Sequence, residues 1–551
     1  MNRNKKSTKY IFIVGGVMSG VGKGVTSASI ATILQSKGFS VSVIKADPYL
    51  NVDAGTMNPT EHGEVFVLDS GLECDQDMGN YERFLDVELP PENYMTNGMV
   101  FKYVIDKERA LGYKGKCVEP IYHITEEIIR RIKLSAQKTD SEIMLIEIGG
   151  TIGEYQNAIF IEAARMLRIK HPRDVMTVMV SYLPVPHTIG EMKTKPTQNA
   201  VRQLNSYGVS PDIIVARSST PLDVKRKEKI ASSTGIEARD VISAPDIESI
   251  YDVPVNFEED GLSTRILSHF GLRPRQKDLK EWRAMVSRMK ERDKVVRIAV
   301  VGKYFNTGDF VLSDAYISVI EAIKFSGAKL GVKPEIEWLS SQDFEQGTMK
   351  LSELKKYDGV LVPGGFGETG IEGKIKVIEY VRENKIPYFG LCYGMQLMVI
   401  EYARNVLGIE TAHTVEIDPD TPDPVIDILP DQKKKLEEKD YGGSMRLGGY
   451  PAFIKKGTIA HKAYGSSEVR ERHRHRYEVN PEYIDKLSSR DLIFSGTSPD
   501  GTLMEIAELP QKIHPFFLGV QFHPEFLARP LSPHPLFTAF LKAAIGDKGK
   551  K

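Results

Sequence analysis

Three side chains from two distant segments are of the types that together cleave an amide: Cys392, His523 and Glu525. Cys392 lies in Gly390-Leu391-Cys392-Tyr393-Gly394-Met395-Gln396, after the apolar run Ile386–Leu391 and before a helical pattern over Met395–Ala403. That order predicts a strand, a sharp turn bearing the thiol, and a helix whose N-terminus favours the thiolate. His523, in Gln521-Phe522-His523-Pro524-Glu525, is a base for the thiol proton. Glu525, two residues on along a stretch read as extended, is placed to orient the imidazole. A lone cysteine is usually a buried core residue; the bracketing glycines and the His-x-Glu turn the balance toward a nucleophile.

A second segment suits phosphate chemistry. Gly15-Gly16-Val17-Met18-Ser19-Gly20-Val21-Gly22-Lys23-Gly24 follows the apolar run Tyr10–Val14 and precedes a helical run, Thr26–Ser36. Such a loop aims backbone N–H groups at phosphate oxygens, and Lys23 adds a point charge. Gly24 stands where a hydroxyl residue usually holds magnesium, so acidic residues elsewhere must hold the metal. Asp77, in Glu73–Gly79, and Glu147, at the end of an apolar run, suit that role. A solvated acidic turn explains Asp75 and Asp77 equally well. Lys193-Thr194-Lys195-Pro196-Thr197-Gln198 offers two ammonium groups and hydrogen-bonding side chains around a rigid proline, which fits a triphosphate or a solvated basic loop.

These residues must be held by two α/β modules. Apolar runs at Tyr10–Val14, Val41–Ile44, Ile143–Ile146, Val175–Val180 and Ile213–Val215 alternate with helical patterns, which predicts a parallel sheet covered on both faces. Residues 1–270 form this module; 271–294 read as a charged linker ending in a surface helix. The second module, 295–544, begins with the buried run Val295–Val301 and repeats the pattern at Gly359–Val362 and Tyr388–Leu391, and a Lys-rich tail covers 545–551. Asp418–Lys439 reads as a solvated insertion.

Net charge of −1 gives no bulk affinity for nucleic acid or membranes. The three cysteines lack metal-site or disulfide spacing, which suits a reducing cytoplasm. The basic start followed by a short apolar run reads as a first strand rather than a signal peptide, and no apolar stretch is long enough for a bilayer span.

The C-terminal segments, with Val362-Pro363-Gly364-Gly365-Phe366-Gly367, resemble the class I glutamine amidotransferase family. The resemblance implies a thioester on Cys392 and an oxyanion hole from the Gly-Gly turn and Tyr393 N–H. Over nearly the whole length, the chain resembles the CTP synthase family. The match lies in the Gly15–Gly24 loop, Lys45–Asp53, His62–Val67, Asp75–Phe84, Glu147–Gly153, Lys193–Gln198 and Glu471–Asn480. It implies a P-loop domain of dethiobiotin-synthetase type joined to a glutaminase, and a carbon–nitrogen ligase of pyrimidine biosynthesis. ATP would activate UTP, ammonia from glutamine would pass between two sites, and CTP would form.

By resemblance Gly20, Val21, Gly22, Lys23, Gly24, Asp77, Asp246 and Ile247 bind ATP, and Asp77 and Glu147 bind magnesium. Lys45 adds positive charge, and Arg217 lies near the nucleotides. Ser19, Glu154, Tyr155, Gln156, Lys193, Thr194, Lys195, Pro196, Thr197, Gln198 and Lys229 hold UTP or the feedback inhibitor CTP. Gly365, Tyr393, Gly394, Met395, Gln396, Glu416 and Arg476 hold glutamine. Arg476 ends a basic run, Arg470–Arg476, that alone reads as an anion patch or a solvated face. His62 is either at a channel entrance or a packed core histidine. The family also implies allosteric activation by GTP and a homotetramer.

Two positions depart from the family pattern. Glu154-Tyr155-Gln156-Asn157 replaces Asp-Ile-Glu-Ser after Gly153, which implies altered CTP feedback. Thr369 replaces an arginine before Gly370, which implies weaker GTP activation. A corrinoid amidotransferase of the cobyric or cobyrinic acid type would need a different acceptor pocket. A catalytically silent scaffold would not need to keep Lys23 and the Cys-His-Glu set.

Overall fold

A computed structural model describes residues 7–58, 63–186, 190–276, 279–302, 313–365, 367–428 and 445–546. The chain divides into two compact units, Met1–Ala54 with Asp77–Val286, and Gly55–Gln76 with Ser287–Lys551. The segment 55–76 thus leaves the first unit and folds with the second.

Among the described residues, nine strands precede residue 246: β1 (Lys9–Gly16), β2 (Val41–Asp47), β3 (Val65–Val67), β4 (Glu73–Asp75), β5 (Tyr94–Thr96), β6 (Ile143–Ile148), β7 (Val175–Tyr182), β8 (Ile213–Ser218) and β9 (Val241–Pro245). Seven form the sheet of the first unit in the order β5-β2-β6-β1-β7-β8-β9, and every pairing is parallel. β1 is central and buried along almost its whole length, as expected where helices cover both faces. Its C-terminal end feeds the glycine loop and α1 (Lys23–Ser36). The Asp75–Phe84 stretch becomes α2 (Asp77–Leu85), so Asp77 opens a helix rather than sitting in an acidic turn. Lys193–Gln198 is not a loop throughout: α3 (Lys195–Ser206) begins inside it, with Pro196 in its first turn, where a missing N–H costs nothing.

The second unit is built on β10 (Lys294–Gly302), β11 (Val332–Ser340), β12 (Gly359–Val362), β13 (Tyr388–Leu391), β14 (Ala412–Thr414), β15 (Asp423–Ile428), β16 (Arg446–Ile454), β17 (Glu468–His475), β18 (Tyr477–Val479), β19 (Ile493–Thr497), β20 (Met504–Glu508) and β21 (Phe517–Val520). Nine of them order as β11-β10-β12-β13-β21-β20-β19-β16-β17. Pairing is parallel from β11 to β21 and antiparallel from β21 to β17. The described part of the sequence-predicted insertion contains β15, which pairs with β14 and β18.

β3 and β4 form a hairpin, Val65↔Asp75 to Val67↔Glu73, held by one face of β17. Arg470, Arg472 and Arg474 alternate along that strand, so they share a face. Arg470 pairs with Asp69 at 2.8 Å, Arg472 donates to Val67 C=O at 3.1 Å, and Arg474 pairs with Glu73 at 2.8 Å. The Arg472 guanidinium also lies 5.5 Å from the Phe66 ring centre. The basic run is therefore not a bare anion patch over these residues, and only Arg470 of the three stays open to solvent; Arg472 is fully buried.

Candidate active site

In the second unit, β13 ends at Leu391 and α4 (Tyr393–Asn405) starts at Tyr393, leaving Cys392 alone at the turn. Its φ of 48° and ψ of −99° are rare for a side-chain-bearing residue. Such strain marks a nucleophile elbow. Cys392 N–H donates to Val520 C=O at 2.7 Å, and Cys392 C=O accepts from Met395 N–H and Gln396 N–H. The thiol is thereby fixed at the helix N-terminus, where the dipole favours negative charge.

β21 runs beside β13 and delivers His523. His523 Nδ1 lies 2.7 Å from Glu525 Oε1, and the ring stacks on Phe526 with centres 5.1 Å apart. Glu525 reaches it from a single 3-10 turn, Pro524–Leu527, not from the extended stretch read from sequence; Pro524 starts that turn. His523 N–H donates to Arg472 C=O at 2.7 Å, which fixes the backbone. Burial works against the imidazolium, but negative charge at Glu525 and Cys392 outweighs it and lifts His523 to about 10. Proton binding at His523 is thus favoured beside the sulfur. Gln521 Nε2 donates to Cys392 Sγ at 3.7 Å, a contact that no motif read above suggests.

A cavity of about 270 Å³ opens over the thiol. Its wall includes Gly364, Gly365, Arg474, Arg476 and His523, with Gly55, Met57, Glu64 and Val65 from the 55–76 segment. A Cβ at Gly364 would stand 2.8 Å from His523 Cε1, so only glycine admits the imidazole there. Gly365 and Arg476 of the expected glutamine set line this cavity. Glu416 Oε1 accepts from Gly367 N–H at 3.0 Å, two positions past Gly365 in the chain. Gln396 is buried behind the thiol, its Nε2 donating to Tyr477 C=O at 2.8 Å. Gly394 and Met395 are the buried first turn of α4. Phe366 and His62 lie outside the described residues.

In the first unit, Gly22 adopts φ 88° and Lys23 opens α1. Lys23 Nζ donates to Gly150 C=O at 2.8 Å, after β6. Burial pulls the Lys23 ammonium below its ordinary value, with Glu147 opposing. Lys45 Nζ donates to Asp77 and, at 3.0 Å, to Glu147 Oε1. Burial disfavours the Asp77 anion, yet Lys45 overrides it and holds the carboxyl below its usual range. Glu147 also accepts from Ser27 Oγ at 2.9 Å and from Tyr81 OH. Ser27 lies outside the motifs read from the sequence, and Tyr81, inside the Asp75–Phe84 stretch, was given no role there. Asp47, also unremarked there, is buried 3.7 Å from Lys45.

Beside the glycine loop, a cavity of about 210 Å³ is lined by Gly22, Arg217, Asp246, Ile247, Asn256 and Phe257 among others. Arg217 donates to Asp246 Oδ1 at 2.9 Å. Glu154, Tyr155 and Gln156 enter a short 3-10 turn after Gly153, with Tyr155 99% exposed. Lys193 pairs with Glu191 at 2.6 Å, and Lys229 acts on the same carboxylate. Among the described residues no helix is long and apolar enough to cross a membrane.

The chain matches the family model described as CTP synthase N-terminus over residues 9–272 and that of glutamine amidotransferase class-I over residues 311–543. It is 49% identical over 539 residues to a CTP synthase of Thermococcus gammatolerans, covering 98% of each chain. It is 49% identical over 546 residues to that of Pyrococcus furiosus, covering 99% of each. Identity to the CTP synthase of Sulfurisphaera tokodaii is 47% over 540 residues, with 98% of this chain and 100% of the other covered. With a glycine loop at the end of a parallel sheet, a cysteine elbow in a second α/β unit and relatives matched end to end, the chain belongs to the CTP synthase family and is an enzyme of that kind.

Proposed function

We propose that the enzyme converts UTP, ATP, glutamine and water to CTP, ADP, phosphate and glutamate. The observation that carries this is the pairing, in one chain, of the Cys392/His523/Glu525 elbow with the Lys23 loop and its Lys45–Asp77–Glu147 cluster. In the glutaminase, Cys392 sulfur attacks the side-chain amide carbonyl of glutamine. Backbone N–H groups of the Gly364-Gly365 turn and Tyr393 face the developing oxyanion. His523 gives its proton to the amide nitrogen, ammonia departs and a thioester remains. His523 then takes a proton from water, which hydrolyses the thioester to glutamate. Arg476 suits the α-carboxylate of glutamine and Glu416 its α-amino group.

In the first unit, the loop N–H groups and Lys23 hold the ATP phosphates, and Asp246 and Ile247 sit against adenine. The γ-phosphoryl group passes to O4 of UTP, ammonia attacks C4, and phosphate leaves. Asp77 and Glu147 offer the hard oxygen donors that suit magnesium and would hold it; bound there, it would supply positive charge against the phosphates. Ser19, Lys193–Gln198 and Lys229 suit the UTP triphosphate, and CTP as inhibitor competes for that place. Ammonia passes between the two sites unprotonated, GTP activates the glutaminase and the enzyme works as a tetramer.

Cys392→Ala abolishes CTP formation from glutamine and leaves formation from ammonium intact, whereas Lys23→Ala abolishes both. Loss of ammonium-dependent synthesis in Cys392→Ala contradicts the separation of the two chemistries. The exposed Tyr155 and neutral Gln156 change the surface offered to the cytosine ring of CTP, so Tyr155→Ile with Gln156→Glu shifts the CTP inhibition curve. An unmoved curve removes these residues from the inhibitor site.

A further inference from the structure

The inner face of β17 carries a closed ring of buried ionisable groups that the chemistry above leaves unused. Arg446, His473, His475, Glu478 and Glu505 come from β16, β17, β18 and β20, and none is more than 8% exposed. Arg446 reaches Glu505 Oε1 at 2.8 Å and Glu478 Oε1 at 3.3 Å. His475 Nδ1 lies 3.5 Å from Glu478 Oε1, His475 Nε2 lies 3.0 Å from His473 Nδ1, and His473 Nε2 lies 3.6 Å from Glu505 Oε2. One guanidinium thus faces two carboxylates, joined through two imidazoles.

Proton counting restricts this ring. Burial and the nearby Arg446 keep both imidazoles well below their ordinary value, hence neutral. A neutral imidazole has one donor and one acceptor. Only the gap between the imidazoles is a hydrogen bond; the two outer gaps are longer and leave His475 Nδ1 and His473 Nε2 buried without a partner. With both carboxylates ionised, two imidazole protons cannot serve three gaps, so with the central bond made, one outer gap sets a bare nitrogen lone pair toward a carboxylate. One added proton, on either glutamate, removes the clash. Arg446 lies closer to Glu505, which makes Glu505 the anion.

We propose that Glu478 carries this proton, so that Glu478 O–H, His475 Nε2–H and His473 Nε2–H all donate in one direction toward an ionised Glu505, and that the ring is a positioning unit for the glutaminase. The inference rests on the glutaminase reading above. Its link to the site is backbone: Arg472 C=O holds His523 N–H, Arg474 C=O lies 3.9 Å from Cys392 Sγ, Tyr477 C=O holds Gln396, and Glu505 C=O accepts from Gln521 N–H at 2.9 Å. Burial, then Glu505, lifts Glu478 to about 8 despite Arg446. Burial raises Glu505 too, with Asp500 and Glu471 adding to it, but Arg446 opposes that rise through both its charge and its hydrogen bond; His523 acts on both imidazoles. Because the folded-state value is raised above the ordinary 4.5, the ring's contribution is complete in acid and is lost as pH rises through about 8.

Three readouts test this. Glu478→Gln keeps a neutral group of the same shape that cannot ionise. Its glutamine-dependent kcat/KM at neutral pH stays within about 3-fold of wild type, and it lacks the wild-type decline above about pH 8. Glu505→Gln removes the carboxylate charge that Arg446 meets at 2.8 Å and loses about 30-fold or more in glutamine-dependent kcat/KM while ammonium-dependent synthesis is kept. Imidazole nitrogen NMR of the full chain finds His473 and His475 both as neutral Nε2–H tautomers. A loss in Glu478→Gln as large as in Glu505→Gln, a persisting decline above that pH in Glu478→Gln, or an Nδ1–H tautomer at either histidine overturns the proposal. The NMR readout stands even where Glu505→Gln does not fold. Failure of the wild type to hydrolyse glutamine would instead overturn the functional reading and leave the tautomers to be judged separately.

Discussion

Gly24 is glycine because another residue's carboxylate fills the space its side chain would take: a Cβ there would stand 2.1 Å from Asp77 Oδ1. The hydroxyl usual at that loop position is absent for a steric reason, and Asp77 supplies oxygen in its place. Gly24→Ser should therefore damage the site it superficially restores, lowering ammonium- and glutamine-dependent synthesis together by about 10-fold or more. Equal turnover in Gly24→Ser would show that Asp77 moves aside freely. The thiol site has a separate pH signature. His523 holds its proton to about 10, so glutaminase that needs the imidazolium declines as pH rises through that value. In Glu478→Gln, where the lower decline is removed, this upper limb should be visible alone. Adding Glu525→Gln removes an anion, weakens proton binding and moves the limb to lower pH. A limb that does not move separates Glu525 from His523 protonation.

At the level of elements, the hairpin β3–β4 and strand β17 form one docking unit with charges of unequal weight. Arg470–Asp69 is open to solvent, with side chains 54% and 33% exposed, and Arg474–Glu73 is buried, at 13% and 4%. Exposed pairs contribute about 0–1 kcal/mol, whereas breaking a buried pair from one side costs about 3–5 kcal/mol. Hydrogen exchange over residues 65–75 should accelerate strongly in Glu73→Gln and little in Asp69→Asn; the reverse order would contradict this reading. Much of the scaffold was legible beforehand. The runs at Gly359–Val362 and Tyr388–Leu391 are strands β12 and β13 to the residue, because an uninterrupted apolar run between glycine and proline has few other uses. The docking of the hairpin was not legible, because Asp69 and Arg470 are 401 residues apart and local pattern carries no pairing information. Nor was the burial of Arg472 legible, since a basic run looks solvated until its alternate residues meet an acceptor.

For the molecule as a whole, the division into units cuts across chain order. Residues 55–76 leave the first unit after Ala54 and return to it at Asp77, one of the carboxylates on Lys45. They also furnish Gly55, Met57, Glu64 and Val65 to the wall over Cys392. A fragment beginning at Ser287 should accordingly be a poor glutaminase, with kcat/KM down about 10-fold or more. Fusing the 55–76 segment to that fragment should recover part of the loss. An unimpaired fragment would mean that the segment covers the cavity without shaping it.

The most direct measurement follows the nitrogen. Enzyme supplied with UTP, ATP, magnesium and glutamine labelled with ¹⁵N in its side-chain amide should give CTP labelled at the 4-amino nitrogen, with one ADP, one phosphate and one glutamate per CTP. Replacing glutamine by labelled ammonium should give the same labelled CTP without glutamate. Failure to form CTP from either nitrogen source, or CTP formed without ADP, would contradict the account.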